Sequence, residues 1–440
     1  MTRFLVLGAG LVAQPLVEYL ARRKSNEITL ASHILSEAEH ISKDYENVTP
    51  VHSDVMNDTQ LNTLISAADI VISFVPPPLH PRVAKACIDA KVHMVNASYQ
   101  SPELSALDTR AKAANICILS EIGLDPGIDH LSAMQIIDNA HAKNEQIESF
   151  ISWCGGLPAP ENNDNPLGYK FSWNPKGAIL VLLNTATYLC ESKTTTIDGH
   201  DLMNWAKPIE ISNLNLECYP NRNSLTYQDV YGIGEAKNIL RGTLRYQGFC
   251  QILQRAKTLG LMDITKGAIP KIMKWKDYIA HLNPMLTLNT KTNQAWHGLE
   301  WLGCFSDQMI VPYAAPIDVF CELLLEKLPY LTGEQDMVIL LHKFVIKKPD
   351  GEKYFISSLL KETGAKSGYS AMARTVGYPA AIAAQMIADG RILRTGMIRP
   401  VTKDIYEPML AALRKEGIIF TETITNAEET SEQNFISEIL

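Results

Sequence analysis

The chain has 440 residues, of which 46% are hydrophobic and 20% charged, and a formal charge of −8. That length exceeds what one hydrophobic core organises, so two or three domains are expected. The acidic balance argues against nucleic acid or an anionic membrane as a main partner and leaves small molecules.

The opening, MTRFLVLGAG, has no basic region followed by an apolar core and a cleavage site, and no apolar run reaches membrane-spanning length. Eight cysteines lie far apart without a CxxC, and eleven histidines show no HExxH spacing. The expectation is a cytoplasmic protein with reduced thiols and no metal site.

Arg3 to Leu7 is a short apolar run ending at Gly8-Ala9-Gly10, and Leu11, Leu16, Tyr19 and Leu20 then follow helical spacing. This strand, turn and helix match the dinucleotide fingerprint GxGxxA. Gly8 makes the turn, Gly10 lets the backbone approach a pyrophosphate, and Ala13 permits close helix packing. The helix N-terminus adds free N–H groups for phosphate. Apolar strands recur at Ile28 to Ala31, Val51 to Ser53, Ile70 to Val75, Val92 to Asn96 and Ile116 to Ser120, with helices such as Leu61 to Ala67 and Val83 to Ala90 between them. That alternation predicts a doubly wound α/β domain.

Ligands of such sheets bind beyond the carboxyl ends of the strands. The cofactor-binding candidates there are Gly8, Gly10, Leu11, Val12, Ser32, His33, Asp54, Val55, Phe74, Val75, Pro76, Ser98 and Leu124. The second strand ends at Ser32-His33, where an NAD enzyme would place an acid. Ser32 and His33 suit a 2′-phosphate, so NADP is favoured and NAD remains possible. Pro76-Pro77-Pro78 reads either as a rigid cover for the nicotinamide or as a stiff surface turn. Asp125-Pro126-Gly127 is also a good turn in its own right.

After Asp125 come a helix (His130 to Ala142), a strand (Ile147 to Cys154) and the long segment from Cys154 to Gly177, CGGLPAPENNDNPLGYKFSWNPKG. Loops this long are usually functional or disordered, and Tyr169, Phe171 and Trp173 argue against disorder. A ligand-enclosing loop is expected, followed by an apolar helix from Ala178 to Leu189. Asp229 to Leu331 is mostly helical in pattern, Met337 to Ile346 and Tyr354 to Leu360 read as strands, and Ala371 to Ala388 as a small-residue helix suited to close packing.

The runs LDPGIDH (124–130), GGLPAPENNDNPLGYKFSWNPKG (155–177), YPNRNS (219–224), RGTLRYQGF (241–249) and TVGYPAA (375–381) closely resemble the glutamate-forming saccharopine dehydrogenase (saccharopine reductase) family. The likeness runs from the glycine turn to TKDIYEPMLAAL and leaves out the acidic tail beyond Thr423. It implies a Rossmann domain (1–124 and about 398–440), an α/β substrate and dimerisation domain with a mixed sheet (125–228 and 332–397), and an inserted helical domain (229–331). It also implies the oxidation of saccharopine to an imine, with hydride transfer to the nicotinamide, then hydrolysis to L-glutamate and 2-aminoadipate 6-semialdehyde. A homodimer is expected.

Carried onto this sequence, the family's substrate contacts fall on Ser98, Tyr99, Asp125, Arg222, Thr243, Leu244 and Arg245. Arg is apt for carboxylates because its fork pairs with both oxygens. Asp125 and Tyr99 are the catalytic candidates; Cys154 and His130 are weighed beside them as a packed thiol and a structural helix residue. Alternative readings are a carboxynorspermidine dehydrogenase-like reductase and a non-catalytic NADP(H)-binding redox sensor.

Overall fold

The structure, a computed structural model, describes residues 1–173, 175–265, 272–283, 294–311 and 314–438. Asn174 of the long loop, and residues 266–271, 284–293 and 312–313 of the expected helical domain, lie outside the described residues. The chain forms two compact units, Met1–Lys143 with Gly368–Thr421 and Asn144–Ser367 with Glu422–Leu440.

The first unit is built on parallel strands β1 (Thr2–Leu7), β2 (Asn26–Ser32), β3 (Val48–His52), β4 (Ile70–Ser73), β5 (His93–Asn96) and β6 (Cys117–Leu119). Their spatial order, β6-β5-β4-β1-β2-β3, is that of the expected doubly wound sheet, with its switch point between β1 and β4. The strands are short and almost wholly apolar because helices cover both faces. One face buries Leu5, Leu7, Val71 and Met94 against Leu61, Val83, Cys87 and Leu104.

The helix Ala371–Ala388 belongs to this unit and packs on the first helix, Gln14–Ala21. A Cβ on Gly377 would stand 2.9 Å from the Val12 carbonyl oxygen, so only glycine permits that approach. The small-residue pattern of TVGYPAA is therefore a packing feature.

The second unit carries a mixed sheet. Its main path crosses β10 (Lys207–Ile211), β11 (Leu214–Pro220), β12 (Asn238–Tyr246), β7 (Gln146–Pro158), β15 (Asp336–Lys347), β16 (Lys353–Thr363) and β18 (Thr421–Asn426), while β8 (Ala186–Cys190) and β9 (Lys193–Ile197) branch from β12. A small ribbon pairs β13 (Met273–Lys274) with β14 (Met309–Ile310), and β17 (Gly396–Ile398) extends the first unit's sheet beside β6.

Three expectations shift. The apolar segment read as a helix from Ala178 to Leu189 is helical only at Pro175–Leu180 and a short turn at Val181–Leu183; Ala186–Cys190 is a strand. An apolar run alone cannot separate the two states, and pairing with β9 and β12 decides it. Residues 238–246, inside the interval read as helical, form β12, a strand buried at every position. The contact units also fall at boundaries other than the expected ones: the helix Ile128–His141 and the helix Ala371–Ala388 go with the first unit, and the chain beyond Glu422 with the second. Among the described residues no helix is long and apolar enough to cross a membrane.

Candidate active site

In the first unit the glycine turn has the required geometry. Gly8 sits at φ 107° with its N–H on the Ala31 carbonyl, and a Cβ there would meet the Phe74 carbonyl oxygen at 2.8 Å. A Cβ on Gly10 would meet nothing within 4 Å, so the protein itself does not require glycine there; the open space suits a ligand approaching the backbone. Leu11 is exposed, Val12 partly buried, and Ala13 fully buried under the first helix, whose N-terminus has no side-chain cap and no acid in its first turn. Its free N–H groups can take a phosphate, and these residues fit a dinucleotide.

The other cofactor candidates follow the remaining strands in order. Ser32 is buried and accepts from the Ile34 N–H at 3.2 Å, whereas His33 is exposed with its ring 5.9 Å from that of His52. Asp54 accepts from Met56 N–H at 2.8 Å, and Val55 packs on the core. Phe74 N–H bonds the Leu7 carbonyl, Val75 is buried, and Pro76 is exposed ahead of the short Pro77–Leu79 turn. Leu124 is buried, so its backbone is the part able to touch a ligand.

Beyond β5 and β6, Tyr99 and Asp125 come together: the phenol donates to Asp125 Oδ1 at 2.6 Å, with both residues partly exposed. Glu121 beneath them is 3% exposed. It accepts from Gln100 N–H, pairs with the buried His130 ring at 2.9 Å and takes Arg399 Nε at 2.7 Å. Burial alone would raise its carboxyl, but His130 and Arg399 bring it down to about 2. His130 is therefore a buried hydrogen-bond partner of Glu121 in the cluster that shapes the loop under Tyr99.

Sequence reasoning passed over His80. It is 1% exposed at the start of the helix His80–Ala90, with Nδ1 3.0 Å from Ser73 Oγ and Nε2 2.9 Å from Ser98 Oγ. The only signal was a lone histidine after the triple proline.

In the second unit, Ile239, Arg241, Thr243 and Arg245 share one face of β12, while Leu240, Leu244 and Tyr246 face the opposite core. Leu244 can thus offer only its backbone. Arg245 is 5% exposed and lies over Tyr169 at 5.0 Å and Phe249 at 5.2 Å. Its Nη1 donates to the Leu244 carbonyl, but its Nε has no partner among the described residues, nor has the buried hydroxyl of Tyr219. The acid directly across the ladder, Glu217, turns away: its two oxygens accept the Gly248 and Cys250 N–H groups that open the next helix. Cys154 stands across from Thr243, buried, within the electrostatic reach of Arg245.

One expectation changes here. Tyr169 and Phe171 do not line an open wall; they are 2% and 7% exposed, belong to the core, and Tyr169 seats the Arg245 guanidinium. Trp173 packs against that core. The loop is held by its own bonds, with Asn165 tied to Leu167 and Tyr169, and buried Lys170 paired with Asp164 and Glu334. Arg222 is exposed, at φ 56° on the loop after β11. Among the described residues no group of three or more His, Cys, Asp or Glu could hold a metal.

Residues 4–119 match the family model described as the saccharopine dehydrogenase NADP binding domain, and residues 123–418 match the saccharopine dehydrogenase C-terminal domain. Saccharopine dehydrogenase [NADP(+), L-glutamate-forming] of Schizosaccharomyces pombe is 39% identical over 97% of this chain and 100% of its own length. The mitochondrial alpha-aminoadipic semialdehyde synthase of Mus musculus is 40% identical over 95% of this chain, which spans only 47% of that protein. A solved apo saccharopine dehydrogenase (L-Glu forming) from Saccharomyces cerevisiae matches with a TM-score of 0.87 at 38% identity, over 97% of this chain and 100% of that one. The dinucleotide turn, the Tyr99–Asp125 pair and the buried arginine thus stand in a chain whose two matched segments leave little of it uncovered, and the chain belongs to the saccharopine dehydrogenase family.

Proposed function

We propose that this chain is an NADP-dependent, glutamate-forming saccharopine dehydrogenase. It interconverts saccharopine, NADP+ and water with L-glutamate, 2-aminoadipate 6-semialdehyde, NADPH and a proton. The observation that carries the substrate class is Arg245, a buried cation whose Nε, like the nearby Tyr219 hydroxyl, has no hydrogen-bond partner among the described residues, and whose nearest cross-strand acid is committed to a helix end. Leaving such donors unpaired costs about 1–3 kcal/mol each, which a ligand carboxylate recovers. Saccharopine carries three carboxylates.

Gly8, Gly10 and the first helix would hold the pyrophosphate, and Ser32 with His33 the ribose end. Bound NADP+ supplies the hydride acceptor. The chain's own residues manage the protons. Asp125 can take the proton from the secondary ammonium, freeing the nitrogen lone pair to form the C=N bond, while the Tyr99 hydroxyl steadies the carboxylate. After water adds to the imine carbon, the same group returns a proton to nitrogen so that glutamate leaves as an amine. Cytoplasmic location and a homodimer belong to the same proposal. Eight free cysteines support the first, and the family resemblance supports the second.

The test is to mix purified protein with saccharopine and either NADP+ or NAD+ and to follow nicotinamide absorbance. Reduction with NADP+ is expected; none with either cofactor contradicts the proposal, and a strong NAD+ preference overturns the roles of Ser32 and His33.

A further inference from the structure

Ser73, His80 and Ser98 form a hydrogen-bonded row from the floor of the first unit's sheet to the carboxyl end of β5. Ser73 is 0% exposed, and its hydroxyl has one partner among the described residues, His80 Nδ1. A buried hydroxyl must place its proton. If Nδ1 carried hydrogen, the Ser73 proton would have no acceptor, a penalty of about five- to hundredfold against that tautomer. Nδ1 is therefore the acceptor and Nε2 carries the hydrogen. Nε2–H then donates to Ser98 Oγ, occupying a lone pair there.

The backbone of Ser98 is fixed on both sides, its N–H on Asn96 Oδ1 and its carbonyl receiving Glu121 N–H. What remains unassigned is the Ser98 hydroxyl proton, on a partly exposed residue at the ligand end of the sheet. Resting on the functional reading above, we propose that His80 is a positioning residue that sets Ser98 as a hydrogen-bond donor to a ligand oxygen, of a substrate carboxylate or of the nicotinamide carboxamide. Burial pulls the His80 pKa down to about 4, so the ring stays neutral and keeps this polarity across the working pH range.

Nitrogen-15 correlation spectra of the unsubstituted, histidine-labelled protein report the tautomer directly and need no activity. The Nε2–H form is expected; a dominant Nδ1–H form overturns the proposal even if the enzyme is active. Kinetics supply the second arm. His80→Leu and Ser98→Ala should each weaken the same ligand about tenfold, in KM for saccharopine or in Kd for NADPH, and the double variant should add little. The ligand that weakens identifies the source of the oxygen. His80→Gln, whose amide N–H replaces Nε2–H, should recover most of the loss. If Ser98→Ala weakens a ligand and His80→Leu does not, the positioning role fails. If the tautomer is as expected but Ser98→Ala weakens neither ligand, Ser98 leaves the site and the proposal falls with it, while saccharopine oxidation by the unsubstituted protein keeps the functional reading standing.

Discussion

Arg245 holds its charge where no acid among the described residues pairs with it, and aromatic rings rather than carboxylates seat it. Replacing it by Met keeps much of the volume and removes the fork. KM for saccharopine should rise about a hundredfold, since two charge-assisted bonds are worth about 3 kcal/mol, while Kd for NADPH stays the same. An unchanged KM would exclude Arg245 from carboxylate binding. Glu121 offers a pH test. Its folded pKa is depressed to about 2, so its stabilisation is complete above about pH 4.5 and is lost as pH falls toward 2. Glu121→Gln should cost about 3 kcal/mol at neutral pH, and the gap to the unsubstituted protein should narrow by about 2 kcal/mol between pH 4.5 and 3. Urea midpoints measured across that range would refute the ion pair if the gap did not move. At this scale the sequence showed Arg245 through its motif, but not its difference from Arg222, because burial depends on where each residue lies, Arg245 on a strand covered on both faces and Arg222 on an exposed loop.

Helix packing sets the phosphate turn. Gly377 lets the helix Ala371–Ala388 lie against Val12 and Leu16, directly behind the glycine loop. Gly377→Val should destabilise the protein by about 1–3 kcal/mol and weaken NADPH binding, read by urea unfolding and by cofactor titration. Unaltered values in both would mean the contact tolerates a side chain. The strands and helices of the first unit were legible because each is short, apolar and punctuated by turns. β12 was not: Arg241, Thr243 and Arg245 alternate as on a half-exposed strand, yet both of its faces are buried, and only its neighbours β7 and β11 reveal that.

Long-range pairing governs the molecule as a whole, and it is the level least readable from sequence. The tail beyond the family likeness adds β18 to the second sheet, stacks Phe435 on Phe355 and buries Ile436. It also places Glu438 on Lys343 at 2.7 Å and on Trp153 Nε1. Two of its acids meet lysines of the sheet, since Glu432 also pairs with Lys353. Removing residues 427–440 should lower stability by about 3 kcal/mol or more, through lost apolar burial and stranded donors; an unchanged urea midpoint would show the tail to be dispensable. The central claim is the bond that breaks. Glutamate-forming chemistry removes hydride from the lysine-derived ε-methylene of saccharopine, so substrate deuterated there should give NADPD, unlabelled glutamate and a semialdehyde retaining one deuteron. Formation of lysine and 2-oxoglutarate, with no deuterium on the nicotinamide, would contradict it.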